Sequence, residues 1–532
     1  MAWFVGFYGA VELDEFNHCG AEKMFIDGRL LEAETILRAE VCVIGTGMGA
    51  ISAASFLIRS GHDVLFIETG PIVASRSDRP SVHIESVGRP FGLSRSRGLE
   101  LGGGTAFWHG VCAPLDEEDF AERSWIPHSG WPIRRDELTS WYSKAHDFLG
   151  SSYDEAAETI GLGSAAMRAA DVFYPKTYSY RSPPFRGKAM LRDWCERGEA
   201  RCAYHSTALR LQHEHGRART LLVGSGNHCF TVLADRFVVA AGALETPRLL
   251  LNSLRQSASP QLPSSWWLGR NLIDHPAGFL SQVVFHDRID SELGGGHKVA
   301  PRAQVFPGFL LKSESQRDFQ LPNHAVFIRK GVSEQIVPTK ALMSFLGLRG
   351  VRDVRLSHLA SLAKHPYIAW RIAQEKLALR TRSRYGDLFF MTEQLPNPQS
   401  QVSLSQHERD HFGFPIACVN WQVSELDINL FERYHKLLTS RLLGHSGIRK
   451  LRIDSASLWE DAFASAAHHL GTARMAATIR NGVVDRNLKV FGFDNVWVSD
   501  GSVFPTAGSV NPSLTISALG LRLGAHLNQL RS

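Results

Sequence analysis

The chain has 532 residues, 44% of them hydrophobic and 21% charged, the composition of a globular protein with a large core, not of a disordered one. Its net charge of +5 is too near balance to imply a nucleic-acid surface, and no zinc-finger or RNP-type spacing adds to it. The seven cysteines include no C-x-x-C pair, which suits a reducing compartment better than a disulfide framework.

The first stretch, MAWFVGFYGAVELDEF, lacks the basic start of a secretory signal, and no apolar run reaches the roughly 18 residues of a membrane span. The cytoplasm is the expected address. From Glu40 the chain reads EVCVIGTGMGAISAASFLIRSGHDVLFIETG. Val41–Ile44 is a short apolar run of the kind a buried parallel strand shows, Met48 to Ser60 has helical length, and Val64–Ile67 is a second apolar run, so the unit predicted is βαβ. At its turn Gly45 permits the tight bend, Gly47 lets the backbone approach a pyrophosphate, and Ala50 is the small residue where helix meets strand. The helix amino terminus would face the phosphates. Glu68 ends the second strand, where it can accept hydrogen bonds from ribose hydroxyls and would repel a 2′-phosphate. This motif alone does not separate FAD from NAD.

Leu101 to Gly110, LGGGTAFWHG, reads as a glycine loop lying against something flat or anionic. SGWPIRRDELTSWYSKA follows at Ser129 to Ala145. RFVVAAGALETPRLLLNS, Arg236 to Ser253, predicts a strand, a small-residue turn and a helix with Pro247 in its first turn. WLGRNLIDHPAG lies at Trp267 to Gly278, HHLGTARM at His468 to Met475, and a last block runs from Val496 to Leu527. A helix is expected to begin near Ser513.

These motifs, in this order, resemble the glucose-methanol-choline (GMC) oxidoreductase family of flavoproteins. The resemblance is weak or absent over the first 37 residues and from about Asp287 to Lys450. It implies an α/β fold, with a Rossmann-like FAD-binding domain and a second α+β substrate domain of antiparallel sheet and helices. The division expected is 38–112, 201–286 and 451–532 for FAD, 113–200 and 287–450 for substrate, and 1–37 as an amino-terminal extension. By position, Gly45, Gly47, Ala50 and Glu68 would hold the adenosine and pyrophosphate end. Gly102, Gly103 and Thr105 would lie along the pyrophosphate and ring. The backbone of Ala208, in a strand beginning near His205, would touch adenine, and Gly242 would let the chain pass close to the cofactor. Asp500 would meet ribityl or pyrophosphate oxygens; its other reading is a helix N-cap before Ser502. Some relatives attach the flavin to a histidine in the glycine loop. Phe107 stands at that position here, with His109 two residues on, so FAD is expected without a covalent link.

Oxidising an alcohol requires a base for the hydroxyl proton and a group that stabilises the developing charge on oxygen. A neutral imidazole serves the first purpose and an Asn amide the second. By the family's spacing the catalytic histidine lies four residues before Thr472, which selects His468, and Asn511 is its partner. The plainer readings are a packed histidine for His468 and a helix-initiating turn for Asn511. His469 is expected to be structural. No G-x-S-x-G elbow supports a hydrolase, and the two adjacent histidines lack metal-ligand spacing, so no metal is expected.

Residues 349–384 carry nine basic and two acidic side chains, a stretch read as a solvated helix face before a membrane-surface contact. The function expected is oxidation of a CH–OH group, with a lean towards sugar, glycoside or polyol substrates. The alternatives are a flavin-dependent lyase on the same fold and a non-catalytic flavin-binding protein. Oxygen, a quinone or a cytochrome subunit could each reoxidise the flavin, and no nucleic-acid partner is expected.

Overall fold

A computed structural model describes residues 24–73, 82–89, 92–151, 171–255, 265–285, 297–300, 303–330, 385–443, 448–453 and 463–530. The basic stretch 349–384 lies outside them.

The apolar run Val41–Ile44 forms the buried end of a longer strand, Ile36–Ile44. Its first half alternates between exposed and partly buried positions. The fully apolar half is covered on both faces, as a central parallel strand requires. It pairs in parallel with Val64–Ile67 on one side and His228–Val239 on the other, and the helix Met48–Arg59 crosses between the first two. Among the described residues the sheet runs Phe25–Asp27, Arg201–Tyr204, Val64–Ile67, Ile36–Ile44, His228–Val239, Arg217–Ser225, Thr207–Glu214, with Val496–Val498 also on His228–Val239. The last three in that path form an antiparallel meander. All other pairings in this sheet are parallel.

A second sheet of nine described strands is antiparallel throughout. Its centre is built from Pro276–Phe285, Tyr385–Met391, Ala325–Lys330, Ala303–Leu311 and Phe173–Arg181. The arrangement is the α/β fold with an added antiparallel layer that the sequence implies. Val111–Cys112, Pro276–Phe285 and Phe463–Ser465, from stretches assigned to the cofactor side, pair into the antiparallel sheet. Phe25–Asp27, from the expected extension, hydrogen-bonds Arg201–Tyr204. These pairings join partners far apart in sequence.

The helix after His228–Val239 runs Gly242–Leu254 and holds Pro247 in its interior, not in its first turn. Proline has no N–H, so the Ala243 carbonyl loses its helical donor four residues on. The Thr472 hydroxyl takes that place, donating to Ala243 O at 2.7 Å. The helix thereby fastens the HHLGTARM segment.

The carboxy-terminal helix begins at Ser513, as the sequence predicts, and ends at Gln529. It packs closely on Met48–Arg59: a Cβ on Gly524 would stand 2.3 Å from Ala53 O, and the Ser52 and Ser517 hydroxyls are 3.0 Å apart. Gly524→Ala gains roughly 1 kcal/mol of helix propensity. The clash costs about 1–3 kcal/mol and wins, so the variant should unfold at lower urea concentration. An unchanged midpoint would contradict this packing.

Candidate functional site

Strand Ile36–Ile44 ends at Gly45, where φ is +101° and a Cβ would stand 2.4 Å from Ala240 O. Only glycine fits there. Gly47, Gly104 and Gly242 have the opposite property. Nothing lies within 4 Å of where their Cβ atoms would be, and all three line one cavity of about 410 Å³, within the usual range for ligand pockets of about 300–1,000 Å³. Bare backbone on three sides lets a ligand come close. The Met48–Arg59 helix begins at this cavity without a side-chain cap, which leaves its positive end suited to an anion.

Three carboxylates, Glu68, Glu245 and Asp500, border the same space. Glu68 accepts from Thr46 Oγ1 and, at 2.8 Å, from Gly70 N. Burial pushes its carboxyl up to about 7 against these bonds. Asp500 caps the short turn Gly501–Val503 through Ser502 N at 2.8 Å. Its other oxygen accepts from Gly242 N at 2.9 Å and Thr246 Oγ1 at 2.6 Å. The N-cap reading of Asp500 therefore describes one of its oxygens, and the second oxygen ties two loops together at the cavity wall. Burial raises this carboxyl as well.

The other expected nucleotide contacts fall into two groups. Gly103, Thr105 and Ala208 line the cavity, with Ala208 in the strand Thr207–Glu214. Gly102 and Ala50 sit behind the wall. The Gly102 N–H donates to Thr46 Oγ1 at 2.9 Å, and Ala50 is fully buried. Thr105 spends its hydroxyl on protein partners, donating to Gly102 O and accepting from Gly187 N. Gly49, which sequence reasoning passed over, lies closest against backbone: a Cβ there would stand 1.8 Å from Ser499 O, just after the strand Val496–Val498. Phe107 and His109 both line the cavity.

His468 and Asn511 also line it, with Asn511 Nδ2 3.3 Å from His468 Nε2. Burial pushes the His468 imidazole well below its usual value, helped by His275, His469 and His109. It is neutral near pH 7. His469 lines the cavity too and is pushed down to about 3 by burial and by Arg97. The positive φ of +63° at Ala467 marks a turn, not an extended strand, just before them.

Behind His468 stand two residues to which the sequence reading assigned no role. The stretch Asn271 to Ala277 runs beside Phe463 to Leu470, bridged at Ile273–Leu470 and Pro276–Ser465. This brings Asp274 and His275, both fully buried, against the catalytic candidate. Asp274 accepts from Ser465 Oγ at 2.6 Å, His275 N at 2.6 Å and His468 N at 3.1 Å. Burial still raises its carboxyl to about 6. Asp274, His275 and His468 hold potential ligand atoms within 4.8 Å of one another, but these atoms are engaged with each other and with the backbone. The cluster reads as a hydrogen-bond chain. The signal for it was the quoted GRNLIDHP stretch, whose partner is almost two hundred residues away.

Two profiles described as GMC oxidoreductase match, an amino-terminal one over residues 186–277 and a carboxy-terminal one over residues 396–520. The chain is 23% identical to a 2-methyl-1,2-propanediol dehydrogenase of Mycolicibacterium austroafricanum, covering 92% of this chain and 95% of that one. It is 25% identical to a paromamine 6'-oxidase of Streptomyces fradiae, covering 91% and 90%. The crystal structure of a pyridoxine 4-oxidase from Mesorbium loti superposes with a TM-score of 0.55 over 92% of this chain and 99% of that chain, at 18% identity, a likeness of fold. The chain thus carries the amino- and carboxy-terminal domains of GMC oxidoreductases, and the relatives matched over nine-tenths of their length are oxidoreductases.

Proposed function

We propose that this enzyme oxidises a CH–OH group to a carbonyl by hydride transfer to non-covalently bound FAD, with His468 accepting the hydroxyl proton and Asn511 holding the oxygen. The observation that carries the reading is that one cavity touches the glycine turn after Ile44 and the His468–Asn511 pair. GMC oxidoreductases generally bind FAD, and the side-chain-free wall at Gly47, Gly104 and Gly242 suits such a group. When bound, FAD supplies the hydride acceptor.

The chain's own residues do the rest. The uncapped helix terminus at Gly47 and Met48 would hold phosphate oxygens through its N–H groups. Glu68 retains lone pairs for ribose hydroxyls beyond those used by Thr46 and Gly70. The backbone of Gly103 and Ala208 and the tie from Asp500 to Gly242 shape the remaining wall. An alcohol oxygen lying beside both His468 Nε2 and Asn511 Nδ2 would give its proton to the imidazole and receive an amide N–H. Because His468 is neutral without substrate, the base is ready at pH 7. Phe107, with no nucleophilic atom, supports a cofactor held without a bond. The names of the two relatives, built on a diol and on paromamine, support a sugar or polyol substrate.

Mixed anaerobically with a panel of alcohols, sugars and polyols, the FAD-loaded enzyme should lose its yellow absorbance with at least one of them. His468→Ala should slow that bleaching by about 10²- to 10⁴-fold with FAD content unchanged. Equal rates would sink the assignment of the base, and product formed with the flavin colour unchanged would favour a lyase. Acid precipitation should release the flavin into the supernatant.

A second expectation follows from Glu68. Hydroxyl donors favour its ionised form, so a carboxyl that sits at about 7 in the FAD-free protein must lose its proton as the ribose binds. FAD affinity should climb as pH rises towards about 7 and level off above it. In Glu68→Gln this climb should be flat. A titration by fluorescence quenching showing the same slope in both proteins would refute the role.

A further inference from the structure

A backbone carbonyl can only accept a hydrogen bond, and this fixes the protons along the buried groups beside His468. His275 Nε2 is 3.0 Å from Gly508 O, so Nε2 carries a hydrogen. Burial holds the His275 ring neutral, its value pushed down to about 4, and its Nδ1 is left with a lone pair. That atom stands 3.0 Å from His468 Nδ1. The hydrogen between the rings must then belong to His468 Nδ1, which leaves the His468 lone pair on Nε2. Asn511 Nδ2, a donor, approaches that same Nε2 at 3.3 Å, so the opposite end of the chain gives the same polarity. The backbone N–H groups of both histidines donate to one oxygen of Asp274, and the rings meet edge to face at 5.1 Å.

We propose that His275, backed by the Gly508 carbonyl, is a positioning residue that holds His468 in the tautomer whose lone pair lies on Nε2, beside Asn511 and the cavity. The other tautomer would turn two lone pairs towards each other between buried rings, an unpaired contact that costs free energy. It would also put a hydrogen on the atom that must receive the substrate proton. A base held in the wrong tautomer loses much of its catalytic effect even when its position is kept. The inference rests on His468 as the base, but its direct test does not.

Ring-15N-histidine labelling reads the tautomer, with the His468→Ala spectrum subtracted to assign the signal, in protein with and without FAD. The wild type should carry its hydrogen on Nδ1. His275→Asn, whose Oδ1 can accept in place of the ring nitrogen, should keep that tautomer, and His275→Leu should lose it. In FAD-loaded protein the Leu variant should bleach about 10²-fold more slowly with substrate Kd and FAD content unchanged, and the Asn variant should recover to within about tenfold of wild type. A wild-type hydrogen on Nε2, or Asn and Leu variants slowed alike, would overturn the proposal. Fast bleaching by His468→Ala would instead remove the base assignment and leave the tautomer result standing, so the two failures are distinguishable.

Discussion

The site depends on how closely the Met48–Arg59 helix comes to the backbone at Ser499. With no side chain at position 49 the two backbones nearly touch, and the Ser499 hydroxyl donates to Gly49 O at 3.0 Å. This contact docks the glycine turn of the first βαβ unit onto the carboxy-terminal segment. Asp500, the next residue, reaches across to Gly242 and Thr246. Thr472 fills the carbonyl that Pro247 leaves open. Three stretches far apart in sequence thus share one wall, and the side chains they carry meet in one cavity through packed backbone. Rigid placement of this kind is what a site needs when its polar groups must be oriented before the substrate arrives.

Burial is the second theme. It drives the histidines down and the carboxyls up along the cavity and behind it, from Glu68 and Asp274 to His275, His468 and His469. Low dielectric penalises charge, so the imidazoles stay neutral and act as directional donors and acceptors. A neutral chain of hydrogen bonds has a definite polarity only if one end is fixed. Here the Gly508 carbonyl fixes it.

Much of the fold was legible because local patterns carried it. The run Val41–Ile44, the helix after Gly47 and the run Val64–Ile67 appear where spacing puts them, and the last helix starts at Ser513. Gly45, Gly47, Gly103 and Gly242, with Glu68, His468 and Asn511, all lining the cavity, were reachable from ordered motifs. What was not legible depends on partners distant in sequence. His275 has meaning only once the Asn271 to Ala277 stretch lies beside Phe463 to Leu470. Gly49 matters because of Ser499. Pro247 sits inside its helix because Thr472 compensates for the missing donor. The pairing within the antiparallel sheet was hidden for the same reason: Pro276–Phe285 pairs with strands about one hundred and about one hundred and seventy residues later.

The most direct test of the central claim is a crystal structure of the purified enzyme grown with FAD. The account predicts density for the pyrophosphate over Gly47 and Met48 and for the flavin ring beside His468 and Asn511. A nucleotide bound elsewhere, or a ring lying away from His468, would contradict it.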